Sequence, residues 1–326
     1  MIDYSKDIIL ANNLSLRRNI EGYNFPLSLG EDESLEILEA FRKIYKDELV
    51  EIENLDENTL NSLIETEVLS EDCLNRQAKV GLVFKDDYII TINDIDHLAI
   101  NVRNFDYDIT SAFSKACMVE EFLDKKFDFA FSPEFGYLTS QGENTGSGLS
   151  LSYKLFLFAL IDSSQAYLAM KSILAHSGIY FSHYKTTYNK KYPKDIYRLK
   201  NFGNYRPNMD DYLEEFDNKL HTVLKNELKF RRDYKALNSL NDDDIKDKIK
   251  IVEDNLKIGN YRSFYQMLEA LYELKKYKDL GFKMKLSIEE IDFLIFNLSK
   301  NKYKSDRDRQ RYEFLNSYIK ERYDGQ

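Results

Sequence analysis

The position of proline divides this chain into two parts with different secondary structure. Pro207 is the last of four prolines, and proline interrupts helices because it lacks a backbone donor. Beyond it, apolar residues recur at the i, i+3, i+4 spacing of amphipathic helices. They are Leu213, Phe216, Leu220, Val223, Leu224, Leu228, Phe264, Leu268, Leu271, Leu274, Ile288, Ile291, Leu294, Ile295 and Leu298. The pattern predicts a helical second part (233–326) that follows a first part (1–232), with the boundary near Asp233 in the charge-rich segment 231–250.

The first part mixes strand and helix patterns. Short apolar runs at 80–84, 88–92 and 98–102 are separated by short turns, which predicts neighbouring antiparallel strands. Helices are predicted at 33–45, 109–125 and 164–176, with a short helix or turn at 61–69 and a buried segment at 153–160. Layers of helix on an antiparallel sheet indicate the α+β class.

Charge and cysteine content limit the possible partners. The chain has 326 residues and a net charge of −10, which opposes nonspecific binding to nucleic acid and to anionic membranes. Only Cys73 and Cys117 are present, and the sequence shows neither a leader peptide nor about 18 consecutive apolar residues. We therefore expect a reduced, cytoplasmic location, with no nucleic-acid or membrane partner.

The segment 127–151 contains the most distinctive local pattern. Phenylalanines alternate with other residues at 127–131, which predicts a half-buried strand. Three glycines follow in the loop 142–148, where their conformational freedom lets the backbone approach a ligand or another strand. A plain tight turn is the competing interpretation.

The short sequence motifs in this segment resemble those of a known family. D-F-A-F, G-Y-L-T-S, an Asn and G-S-G-L occur in the order D-Y-A-F…G-Y-L-T-S-C-P-T-N-x-G-T-G-L of the ATP:guanido phosphotransferases, specifically of the bacterial protein-arginine kinases. Residues 7–26, 93–100 and 178–180 extend the resemblance. It implies a phosphagen-kinase-type catalytic domain built on an antiparallel sheet, followed by a helical domain that carries dimerisation.

Transfer of a phosphoryl group to a guanidinium needs a carboxylate to orient the acceptor, and arginines with Mg²⁺ to hold the phosphates. When the sequence is compared with the family motifs, Arg18 matches one of the family's nucleotide-binding arginines. Neutral residues stand at the other arginine positions. The replacements are Asn13, Ser15, Ala99, Ser150 and Ser177. Ile95 stands at the catalytic glutamate and Gln141 at the reactive-loop cysteine, while Asp94, if it lies on a strand, would point to the opposite face. These replacements predict a pseudokinase that uses neither ATP nor Mg²⁺.

Two alternatives remain open. Cationic residues elsewhere could rebuild an active protein-arginine kinase that uses ATP and Mg²⁺, and the candidates are Arg17, Arg103, Lys154, Lys185 and Arg198. The chain could also be a structural subunit that dimerises with an active homologue. A cleft above the sheet that is open and electropositive, rather than filled by Phe156, Phe158 and Phe181, would favour a ligand.

The histidines do not indicate a metal site. His97, His176 and His183 match no zinc-ligand spacing, so we expect no bound metal.

One binding motif is retained near the C-terminus. Residues 305–312 resemble the R-D-x-x-R-A motif with which protein-arginine kinases bind phosphoarginine, and Arg307, Asp308 and Arg311 match it. The competing interpretation is a capped helix start, with Ser305 and Asp308 at its N-terminus. The resemblance thus implies an adaptor or regulator in protein quality control, with phosphoarginine-bearing protein partners and a homodimeric or heterodimeric assembly.

Overall fold

The computed structural model describes residues 7–103, 108–185, 192–202, 209–299 and 307–324. The strands are β1 Ile9–Arg18, β2 Leu49–Glu51, β3 Gly81–Phe84, β4 Tyr88–Ile92, β5 Leu98–Arg103, β6 Phe131–Ser132, β7 Gly136–Tyr137, β8 Leu149–Phe156, β9 Ile179–His183 and β10 Ile196–Asn201. The α-helices are α1 Glu31–Tyr45, α2 Glu57–Glu65, α3 Ile109–Asp124, α4 Phe158–Asp162, α5 Ser164–His176, α6 Met209–Arg232, α7 Tyr234–Leu237, α8 Asp242–Ile258, α9 Phe264–Asp279, α10 Ile288–Ser299 and α11 Arg307–Asp324.

Eight strands form one sheet in the order β2-β3-β4-β5-β1-β8-β10-β9. Every neighbouring pair is antiparallel. β1 lies between β5 and β8, and its side chains alternate between the two faces of the sheet. One face carries Leu14 and Leu16 into a core that also contains residues of α1, α3 and α6. The opposite face of the central strands is polar.

The helical part has its own core, which extends to the end of the sheet. Buried residues of α8, α9, α10 and α11 cluster with Phe156 at the end of β8 and Phe158 at the start of α4. The α+β architecture with a helical second part is therefore confirmed, and none of the described helices is long and apolar enough to cross a membrane. The division near Asp233 remains a prediction, although α7 begins directly after that residue.

A buried ionic network joins α6 to the start of α4 and the end of α9. The Glu227 carboxylate accepts hydrogen bonds from the backbone N–H groups of Ala159 (3.2 Å) and Leu160 (2.7 Å), so it caps α4. Arg231 donates to Glu227 at 2.8 Å, to Asp279 at 3.0 Å and to the carbonyl of Phe156 at 3.0 Å. This arginine thus connects the sheet-based part to the helical part.

Helix α5 spans the predicted residues 164–176, but one strand prediction was wrong. The strand predicted at 127–131 is reduced to β6, and Phe129 makes only an isolated bridge with Ile20. The segment 153–160 is buried as predicted, and it contains the end of β8 at Phe156 and the start of α4 at Phe158. In both places tertiary pairing, rather than the local apolar pattern, determines where the strand ends.

Candidate functional site

The polar face of the central strands is the candidate site, because the replaced positions meet there. Ser15 of β1 pairs with Ser150 of β8 on one side and Asn101 of β5 on the other, and Ala99 pairs with Arg17. Directly paired residues lie on the same face of a sheet. The side chains on this face are Ala11, Asn13, Ser15, Arg17, Ala99, Asn101, Arg103, Ser150, Ser152, Lys154, Arg198 and Lys200.

The Ser15–Ser150 pair itself carries no charge. Ser15 is fully buried, and its hydroxyl forms no hydrogen bond with a described protein group. Ser177 lies elsewhere, in the turn between α5 and the edge strand β9, where its N–H donates to the carbonyl of Leu174 at 3.1 Å. The structure thus brings together Asn13, Ser15, Ala99 and Ser150, and it places Ser177 at the sheet edge.

The retained Arg18 contacts neighbouring protein groups and does not lie on the polar face. Its side chain donates to Glu120 of α3 at 2.8 Å and to the carbonyls of Arg17 (2.7 Å) and Ser147 (2.9 Å). The guanidinium also lies 3.5 Å from the centre of the Tyr137 ring. Because neighbouring side chains on a strand point to opposite faces, Arg18 is directed away from Ser15 and binds the core side of the sheet.

Residues 93–97 form the turn between β4 and β5, so the expectation that Asp94 lies on a strand was wrong. Asp94 is buried and accepts hydrogen bonds from the hydroxyl and the N–H of Ser70, and burial raises its pKa. Ile95, at the position of the family's glutamate, is half-buried. Asp96 accepts from Asn19 at 2.9 Å and from the Ser140 N–H at 2.7 Å. Both carboxylates therefore organise the turn and its neighbouring loops.

The glycine-rich loop approaches another strand. Gly148 has φ +71°, and an added Cβ would lie 2.3 Å from the carbonyl oxygen of Arg17, so only glycine fits beside β1. Gln141 is exposed, and its carbonyl accepts from the hydroxyl of Thr139 at 2.7 Å. These contacts favour the structural interpretation of the loop.

Three of the five candidate compensating cations gather further along the polar face. Arg103, Lys154 and Arg198 line a cavity of about 100 Å³ together with Glu67 and Tyr184. Lys154 and Arg198 are direct cross-strand partners. Arg17 instead lies 3.6 Å from Asp96. The sequence named these cations individually, but only the pairing of β5, β8 and β10 shows that three of them share one cavity.

A segment we call the strap, residues 66–70, lies over the polar face. At one end Glu67 forms an ion pair with Arg198 of β10, and at the other end Ser70 binds Asp94 in the β4–β5 turn. Glu67 has φ +60°, which is uncommon for a residue with a side chain. The strap was not recognised from the sequence, which predicts only a short helix or turn there.

The three phenylalanines considered as residues that could fill the cleft above the sheet lie in the hydrophobic cores instead. Phe156 and Phe158 belong to the core of the helical part, and Phe181 belongs to the core of the sheet. The space beside the strap is therefore bounded mainly by charged, neutral polar and tyrosine residues.

His97 uses both ring nitrogens in protein contacts. Its Nδ1 accepts from the N–H of Ile20 at 2.9 Å, so Nε2 carries the proton that is donated to the carbonyl of Asn24 at 2.9 Å. Burial lowers the pKa of His97, which favours this neutral form. Within the described ranges, no group of three His, Cys, Asp or Glu side chains is placed to hold a metal ion.

The retained motif lies at the start of α11. Arg311 is 3% exposed, donates from Nε to the carbonyl of Leu298 at 2.9 Å, and lies 4.0 Å from the centre of the Phe264 ring. Asp308 is half-exposed, with one oxygen 3.9 Å from Arg311. Ser305 and the side chain of Arg307 lie outside the described part of the structure. The geometry gives Arg311 a role in anchoring α11, beside which Asp308 is accessible.

A larger cavity, of about 490 Å³, lies between the two parts of the chain, and both carboxylates and lysines line it. Asp162 accepts from the hydroxyl of Tyr234 at 2.5 Å and lies 3.5 Å from Lys276. Burial raises the pKa of Asp195 and that of Glu269. Because much of this charge is internally paired, we assign the cavity no ligand.

The fold and the arrangement of the polar face define a class of protein. A sequence model of the ATP:guanido phosphotransferase C-terminal catalytic domain matches residues 31–203, and the chain belongs to this family. A duplicated taurocyamine kinase from Schistosoma mansoni, solved with transition-state analogue components, has the same fold, with a TM-score of 0.57 and 17% identity over 68% of this chain and 33% of that chain.

Within the family the chain is similar to protein-arginine kinases. It is 32% identical to the protein-arginine kinase of Desulforamulus reducens over 171 residues, which are 49% of this chain and 48% of that protein. It is 24% identical to the enzyme of Staphylococcus saprophyticus over 294 residues, 88% of this chain and 84% of that one. The match to the first relative thus spans about half of its length, whereas the second match includes most of the helical part.

Proposed function

We propose that this chain is a protein-arginine-kinase relative that no longer transfers phosphoryl groups and acts through binding. The observation that carries the proposal is the Ser15–Ser150 cross-strand pair, because the family resemblance places a phosphate-binding arginine at each of these positions. Two adjacent arginines of the family motif are thus replaced by two hydroxyl groups, on the face where the family stabilises the negative charge of the phosphates. Removal of a single transition-state donor commonly costs about 10²- to 10³-fold in rate.

The other features of the polar face support the same proposal. Ile95 offers no base for a guanidinium, and the carboxylate nearest to the cation cluster, Glu67, is already paired with Arg198. The cavity of about 100 Å³ is also smaller than the roughly 300–1,000 Å³ typical of small-molecule pockets. The alternative of a rebuilt kinase site would therefore require the strap to move.

We expect no phosphoryl transfer from ATP to arginine side chains of a denatured protein substrate. The reason is the combined loss of the base at Ile95 and of the cations at Ser15 and Ser150. The measurement is transfer of γ-labelled phosphate in the presence of Mg²⁺, with an active protein-arginine kinase assayed alongside. Arginine labelling that is lost when Mg²⁺ is chelated, and is also lost in the Glu67→Gln variant, would instead support a rebuilt kinase site.

We further propose that the chain binds phosphoarginine at the start of α11, as an adaptor or regulator. The half-exposed Asp308 supports this role, because a phosphoarginine needs a carboxylate for its N–H groups. A capped helix start remains the competing interpretation. The expected dimer and the protein partners remain predictions.

Asp308→Asn should weaken phosphoarginine binding about tenfold, the usual cost of one charged hydrogen bond. Arg309→Ala is the matched control, since this neighbouring side chain is 71% exposed and pairs with Glu313 instead. Arg311→Ala is less informative because it also removes the contacts with Leu298 and Phe264. The affinity is measured by calorimetry. If Asp308→Asn and Arg309→Ala change the affinity for phosphoarginine equally, the capped-helix interpretation is correct.

A further inference from the structure

The cavity beside the strap contains an excess of positive charge. Three cations, Arg103, Lys154 and Arg198, line it with one carboxylate, Glu67, which leaves a local excess of two positive charges. This excess stands out in a chain whose net charge is −10.

Two of these cations are displaced from Ala99 and Ser150, two of the positions that the family resemblance assigns to nucleotide-binding arginines. Arg103 lies four residues beyond Ala99 on β5, and Lys154 lies four residues beyond Ser150 on β8. Four residues along a strand are about 13 Å. The cavity therefore lies further along the same face and borders the replaced positions at Asn13, which lines it and pairs with Arg103.

The cations are only partly compensated by the protein. Arg103 is half-buried and forms no hydrogen bond or ion pair with any residue that the structure describes. Lys154 donates to the hydroxyl of Tyr192 at 2.7 Å and lies 4.5 Å from the centre of the Tyr184 ring. Burial lowers the pKa of Arg103 and that of Arg198. Because a partly buried cation without a counter-ion is unfavourable, an anion bound among the three would stabilise them.

The geometry points to a binding site for a phosphoryl-class oxyanion, formed by Arg103, Lys154 and Arg198 and closed by Glu67 of the strap. Arginine presents several N–H donors that suit the oxygens of a phosphate. The Glu67 carboxylate is the internal competitor: it pairs with Arg198, and the Glu67 backbone itself has a left-handed φ of +60°. A cavity of about 100 Å³ admits a phosphoryl group rather than a whole nucleotide.

Isothermal titration of the full-length chain with inorganic phosphate, at constant ionic strength, tests the proposal. We expect measurable binding that Arg103→Gln weakens about tenfold, because one charged hydrogen-bonding partner is lost. Glu67→Gln should strengthen binding several-fold, because the competing carboxylate becomes neutral. The matched control is Lys200→Gln: Lys200 lies on β10 two residues from Arg198, but it pairs with Glu143 at 2.8 Å outside the cavity and should change affinity little.

Titrations with phosphoarginine and with AMP distinguish the possible sources of the phosphoryl group. Tighter binding of either compound than of phosphate, with the same loss in Arg103→Gln, supports recognition of that group on a larger molecule, and binding of phosphate alone supports a closed anion site. Equal losses of phosphate affinity in Arg103→Gln and Lys200→Gln would overturn the site. They would show that phosphate responds to the general positive charge of the surface and not to this cavity. Absence of heat at about 10 mM phosphate in both the wild type and Glu67→Gln would also overturn it. Circular dichroism verifies that each variant is folded, and the titration is independent of phosphoryl transfer.

Discussion

Arg231→Met should lower the free energy of unfolding by about 3–5 kcal/mol, the usual effect of removing one partner from a buried ion pair. Arg231 bonds to Glu227 and Asp279, and the side chains of both carboxylates are less than a tenth exposed. Without the arginine, both buried carboxylates lose their direct ion-pair partner, and the carbonyl of Phe156 loses its donor. Equilibrium denaturation in urea measures the change.

The matched control for this prediction is Arg309→Met. Arg309 also pairs with a glutamate four residues away, Glu313, at 2.9 Å, but both side chains are more than half exposed. Such surface pairs contribute only about 0.3–0.5 kcal/mol. If Arg231→Met and Arg309→Met shift the urea midpoint equally, the buried network does not connect the two parts of the chain as we infer.

Asp279→Asn should remove a component of the pH dependence of stability on the order of 3 kcal/mol. Burial outweighs the attraction of Arg231 and raises the pKa of Asp279 to about 6, whereas a carboxyl in the unfolded chain titrates near 4. Between about pH 4 and pH 6 the folded state thus binds more protons than the unfolded state. Through this group, the free energy of unfolding falls as pH rises across that window and is constant above it.

The measurement is the free energy of unfolding of wild type and variant at several pH values from about 4 to 7. The difference between the two curves should change across the window, whereas Asp243→Asn should run parallel to the wild type, because the Asp243 side chain is 88% exposed. A constant difference between wild type and Asp279→Asn would show that Asp279 titrates near its ordinary pKa.

The family resemblance identifies the replaced positions from the sequence alone. An ordered series of motifs placed Asn13, Ser15, Ala99 and Ser150 at functional positions, and the strand pairing brings these four residues together on one face. It could not show that Arg18 binds Glu120 on the other side of the sheet. A motif records residue identity, whereas the partner of a side chain depends on what packs against it.

The sequence by itself determined the features that depend on neighbouring residues. Helix α5 matches its prediction because capping and apolar spacing act within a few residues, and the helical second part follows from the same periodicity. Tertiary structure alone decided that residues 93–97 are a turn, that Arg311 is buried, and that the strap brings Glu67 to Arg198. These outcomes depend on contacts between residues up to 131 positions apart, and no local pattern of hydrophobicity or charge encodes which distant partners will meet.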